Sequence, residues 1–117
     1  MNVSTVLIII IVALEHIYFL ILEMFLWTTP KGITTFKLKS KSFAEDTKVL
    51  AANQGLYNGF LAFGLLFSII KDNMNFALFF LCCVTIAGVY GAFSTKQLKL
   101  FYVQSVPAIL GILSFLL

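Results

Sequence analysis

The sequence predicts an all-α fold: a four-transmembrane-helix bundle with antiparallel neighbours and both termini extracytoplasmic. Three observations carry this reading. Hydrophobic residues make up 61% of the 117 positions and charged residues 11%, against roughly 45–50% and about 25% in soluble domains. Four apolar stretches each approach the ~20 residues that a helix needs to cross ~30 Å of hydrocarbon. The lysines gather on two of the three connections. A water-soluble protein this small could not hide so much apolar surface, so the lipid bilayer is the expected solvent and partner.

The first span runs from about Thr5 to Trp27. It lacks the basic leader of a signal peptide, is too long for one, and is interrupted by Glu15, His16 and Glu23. No small-residue cleavage pattern follows Trp27, so the span is read as a mature helix. Residues 28–48 form the one long loop. Thr28-Thr29-Pro30-Lys31-Gly32 opens it as a helix-stopping, turn-forming run. The second span covers about 49–70 and the third about 74–93, joined by the tight polar turn Lys71-Asp72-Asn73. Ser94–Gln97 leads to the fourth, at about 99–117. Tight turns make consecutive spans antiparallel. A closed β-barrel also satisfies its backbone in lipid, but the alternating polar positions it needs are missing. Residues 1–117 are read as a single membrane domain with no internal repeat.

Lysine counting sets the orientation. Lys31, Lys37, Lys39, Lys41 and Lys48 lie on or beside the first loop, Lys96 and Lys99 on the third, and only Lys71 on the second. The positive-inside rule places the first and third loops in the cytoplasm, with Trp27, Phe101 and Tyr102 at that interface. The run Phe36-Lys37-Leu38-Lys39-Ser40-Lys41 fixes topology, and the same charges suit anionic headgroups. No basic helix is interleaved with polar residues, so no nucleic acid is expected as a partner. Cys82 and Cys83 are adjacent in an apolar run. Adjacent cysteines rarely bridge, and these read as small buried residues.

Intramembrane polar residues are the candidates for function. A charged side chain at mid-membrane costs roughly 2.5–3.5 kcal/mol on insertion scales. Glu15 and His16 sit at the centre of the first span. Glu23 lies seven residues beyond His16, on the same face. Tyr18 flanks them. The second span offers Asn53, Gln54, Tyr57 and Asn58, and the later spans Tyr90 and Gln104. Antiparallel pairing predicts Glu23 beside Asn53 and Gln54, with Glu15 and His16 beside Tyr57 and Asn58. All then fall between mid-membrane and the cytoplasmic surface. Interhelical hydrogen bonds alone would account for Asn58 or Gln104. Two carboxylates and an imidazole on one span exceed what packing requires. Gly55 and Gly59, and the pairs Ala87–Gly91 and Gly88–Ala92, have the spacing for close helix approach. Pro107 is expected to kink the last span.

Several stretches carry a family resemblance: Ala13-Leu14-Glu15-His16-Ile17-Tyr18, Leu22-Glu23-Met24-Phe25-Leu26-Trp27-Thr28-Thr29-Pro30, Asn53-Gln54-Gly55-Leu56-Tyr57-Asn58-Gly59-Phe60-Leu61-Ala62 and Ala87-Gly88-Val89-Tyr90-Gly91-Ala92. With Gln104 and Pro107, they resemble the bacterial membrane family catalogued as domain of unknown function 1304. The resemblance implies a small four-helix protein of the bacterial cytoplasmic membrane and gives no reaction. Small multidrug-resistance transporters share the length, the four spans and a glutamate in the first. This chain lacks their tryptophan in the third span and adds His16 and Glu23, so that likeness is analogy.

Three functional readings remain open on the residues. In one, the protein binds or converts a lipophilic small molecule, with Glu15 and His16 as the acid/base pair. Glu23 then orients, and Tyr18, Asn53, Gln54, Tyr57, Asn58, Tyr90 and Gln104 line the site. In another, Glu15 carries a proton in a coupled transporter, which at this length needs a homo-oligomer to enclose a pathway. In the third, the chain is a structural membrane subunit. No cofactor motif is present. A metal site using Glu15, His16 and Glu23 is the weakest reading, since the chain has one histidine and zinc usually takes three or four protein ligands.

Overall fold

Helices and one short π segment follow each other with no strand in the computed structural model, which describes residues 1–117. They are α1 (Val3–Phe25), α2 (Pro30–Thr35), α3 (Lys41–Ile70), α4 (Met74–Thr95), α5 (Leu98–Leu100), the π segment Phe101–Ser105 and α6 (Val106–Ser114). Helices α1 and α4 are long and apolar enough to cross a membrane. The middle of α3 is diluted by Asn53, Gln54 and Asn58, and the apolar run Leu98–Ser114 is shorter.

The caps explain the breaks. Thr29 ends the first connection by accepting the Gly32 amide at 3.3 Å, and Pro30 occupies the first turn of α2. Proline suits that position, since its missing N–H would have no intrahelical partner there. Ser40 accepts the Phe43 amide at 3.0 Å and starts α3. Asn73 accepts the Phe76 amide at 3.1 Å and starts α4. Asp72 turns the chain ahead of it at a φ of 44°. Lys96 closes α4 in the left-handed region at 56°. The region expected as a loop, 28–48, is therefore largely helical: it contains α2, and α3 begins at Lys41. The apolar pattern marks where the apolar stretch begins, whereas Ser40 marks where the helix does.

The chain divides into two compact units, Glu15–Phe60 and Met1–Leu14 with Leu61–Leu117. In the first, the end of α1 runs antiparallel to the start of α3. Trp27 Nε1 donates to Thr47 Oγ1 at 3.0 Å, and the Trp27 ring lies against Phe36 with centroids 5.0 Å apart. A Cβ on Gly55 would lie 2.6 Å from Met24 Cγ, and one on Gly59 would lie 2.7 Å from Leu20 Cδ1. The G-x-x-x-G pair thus seats α3 on α1, as its spacing predicts.

In the second unit, α4 pairs antiparallel with the stretch around Ser105. Ser105 Oγ donates to the Thr85 carbonyl at 2.8 Å, and Gly88 meets Ser105 so closely that a Cβ would lie 2.2 Å from its hydroxyl. Thr5 and Ser114 share a 2.8 Å hydroxyl bond, so the start of α1 lies by the end of α6. The irregularity expected at Pro107 takes the form of a π turn just before it. The Val106 amide bonds the Phe101 carbonyl, five residues back. Proline has no N–H to continue the α-pattern and crowds the preceding turn; widening that turn by one residue accommodates it.

Candidate functional site

Glu23 is the buried acid of the molecule. It lies on the face of α1 that meets α3 and is 1% exposed. Asn58 Nδ2 donates to Glu23 Oε1. The Gln54 side chain approaches the same carboxylate, while Oε2 has no partner within hydrogen-bond distance. Two features of α3 create this arrangement. The glycines at 55 and 59 bring its backbone against α1, and Asn58 precedes Gly59 on the side facing Glu23.

His16, two turns before Glu23, is also 1% exposed, and its ring meets Phe19 edge-on at 5.3 Å. Glu15 is half-buried, and its Oε1 is enclosed without a hydrogen-bond partner. It turns about 80° around α1 from Glu23. No three His, Cys, Asp or Glu side chains gather as metal ligands would.

The remaining candidates separate. The expected register set Glu23 against Asn53 and Gln54. The structure sets it against Asn58, one turn further along, with Gln54 nearby. Asn53 and Tyr57 lie on the side of α3 turned away from α1, and both are exposed. Tyr18 is exposed on α1. Tyr90, exposed on α4, and Gln104, half-buried in the π segment, belong to the other unit. Sequence reasoning did not single out Thr47 or Leu20, which set the register through Trp27 and Gly59. No local signal marks them, because their partners are far away in the chain. Two open grooves, of about 430 Å³ between Val89 and Phe101 and about 480 Å³ between Phe63 and Phe80, contain none of these candidates.

The profile of the family described as "Protein of unknown function (DUF1304)" matches residues 10–116. The chain belongs to this family. The match spans Glu15, His16, Glu23, Asn58 and the π segment, so the whole candidate site lies within family sequence. Among curated proteins, the chain is similar to the "Uncharacterized protein YpaA" of Lactococcus lactis subsp. lactis (strain IL1403). The two are 26% identical, over 97% of this chain and 98% of the relative. No solved structure matches.

Proposed function

We propose that this family member is a four-span protein of the bacterial cytoplasmic membrane that binds a lipophilic small molecule through Glu23. Exposure of the apolar helices supports the membrane reading. Only 33% and 22% of the most apolar windows of α1 and α4 are buried within the protein. Residues such as Leu7, Ile11, Phe79 and Ile86 lie open along them. A core helix of a soluble protein would have these covered, and a contiguous apolar surface of this extent marks contact with lipid or another apolar partner. The lysine distribution supports cytoplasmic first and third loops. The Thr5–Ser114 bond supports termini that share a side.

The binding reading is carried by one observation: Glu23 is buried with one oxygen held by Asn58 and the other without a partner within hydrogen-bond distance, with the Gln54 side chain close to the carboxylate. A buried carboxylate oxygen is strongly unfavourable unless it meets a donor. The fitting ligand presents an amine or hydroxyl hydrogen to Oε2 and apolar groups to the surrounding helices. Glu15 Oε1, enclosed in the same state about 12 Å along the helix, favours a second reading. There, Glu15 takes up and releases a proton in coupled transport.

Native mass spectrometry of gently purified protein tests the first reading. A small molecule retained by the wild type and lost in Glu23→Gln is the expected result. Bulk lipid alone, unaltered by the substitution, refutes it. Substrate-driven pH change in sealed vesicles, abolished by Glu15→Gln, is the result expected of the second.

A further inference from the structure

The face of α3 turned away from α1 carries a stripe that does not suit lipid. Leu50, Asn53, Tyr57 and Phe60 follow one another at intervals of three and four, the spacing of a seam between helices. All four are exposed; Leu50 is 72% open, Tyr57 59% and Phe60 57%. Asn53 and Tyr57 each sit about 200° around the helix from Gly55, which is pressed against α1. Intramolecular packing in this unit therefore uses the glycine face and leaves the Asn53 face open. No charged residue occurs from Val49 to Phe60, and Gln54, also exposed, borders the stripe. In hydrocarbon an unpaired carboxamide is strongly unfavourable, and spans resolve it by bonding to another helix.

We propose that this stripe is the contact between two copies of the chain, an α3-to-α3 interface about a two-fold axis in which Asn53 bonds its counterpart. The inference rests on the membrane reading above. Self-complementarity selects the occupant. A carboxamide holds donors and an acceptor in one group, so across a two-fold axis it satisfies itself without a second kind of partner. The stripe has no charge to repel its copy or to select a charged ligand. Acyl chains offer nothing to Asn53. Leu50, Tyr57 and Phe60 supply the apolar packing on either side, and a single asparagine in such a seam sets its register.

Single-cysteine scanning in membrane vesicles tests this, with Cys82→Ser and Cys83→Ser as background. Oxidation is expected to link Leu50→Cys, Asn53→Cys, Tyr57→Cys and Phe60→Cys into dimers of the 13.1 kDa chain. Controls on the exposed face of α4, Phe79→Cys and Ile86→Cys, should stay monomeric. In liposomes of increasing dilution, energy transfer between labelled copies should report a dimer that Asn53→Leu weakens about 3- to 20-fold. Absence of linkage along the stripe, equal linkage at the α4 controls, or linkage to a different protein overturns the interface. Carbonate extraction separates the two levels. Protein released from the membrane refutes the membrane reading, whereas protein retained but unlinked refutes the interface alone.

Discussion

Two glycines on α4, one turn apart, should respond in opposite directions to the same substitution. Neither has a positive φ, so alanine suits the backbone at both, and in a helix interior it gains about 1 kcal/mol over glycine. At Gly91 the new Cβ would meet only Leu100 Cδ1, at 3.5 Å, and that gain stands. At Gly88 it would lie 2.2 Å from Ser105 Oγ, 2.8 Å from Ser105 N and 3.0 Å from Gln104 Cβ. Rotating the serine hydroxyl away relieves the first contact but not the second, which is backbone. The π segment must move, at about 1–3 kcal/mol for overpacking. The 2.8 Å bond from Ser105 to Thr85 goes with it, at about 0.6 kcal/mol. Gly88→Ala should therefore be less stable than wild type by about 0.5–2.5 kcal/mol after the propensity gain. Gly91→Ala should be slightly more stable. Thermal midpoints in mild detergent, read by retention of the monodisperse peak, order the three proteins. Adding Ser105→Ala to Gly88→Ala should recover part of the loss and no more. A Gly88→Ala midpoint at or above wild type, or equal damage from Gly91→Ala, would refute the close approach of α4 to the π segment.

Three further outcomes follow from the geometry. Asn58→Leu strips the donor from Glu23 Oε1 and should destabilise by about 1–3 kcal/mol; the double variant Glu23→Leu/Asn58→Leu should recover much of this in denaturant titrations, since no carboxylate is left buried. Trp27, the single tryptophan, donates to Thr47, so Thr47→Val should lower stability by about 0.5–1.5 kcal/mol and shift the emission maximum. Brominated lipids should quench that emission best when the bromine lies near the headgroup, as expected of an interfacial tryptophan. Reporter domains fused after Phe36 should read cytoplasmic and those after Asp72 extracytoplasmic, and exchanging Lys37, Lys39 and Lys41 for glutamine should weaken that preference.

What was legible in the sequence is what local chemistry dictates. The turn at Lys71-Asp72-Asn73 could be read because an asparagine cap and a left-handed aspartate are short-range features. The helix approach at Gly55 and Gly59 could be read because spacing alone puts both on one face. The start of α3 at Lys41 lies outside the apolar pattern for a different reason. An apolar pattern reports only the apolar stretch of a helix, and this helix continues beyond it, started by Ser40. Thr29-Pro30 reads as a stop signal and serves equally as a start, because a threonine cap followed by proline is also how a helix begins.

The site was half legible, and the missing half is a matter of register. Residue type picked out Glu23 and Asn58 separately. Their pairing depends on how far α3 slides along α1, which Trp27–Thr47 and Leu20–Gly59 determine at long range. A slide along α1 moves Asn58 from Glu15 and His16 to Glu23, two turns further on. It leaves Glu15 with an enclosed oxygen that sequence reasoning had assigned to Tyr57 and Asn58. Facing is set by the same contact. Once Gly55 is pressed to α1, Asn53 and Tyr57 must point away from it, whatever their chemistry suggests. The polar residues of α3 thus divide between an inner carboxylate and an outer, exposed face, so residue type alone does not say which of them meet.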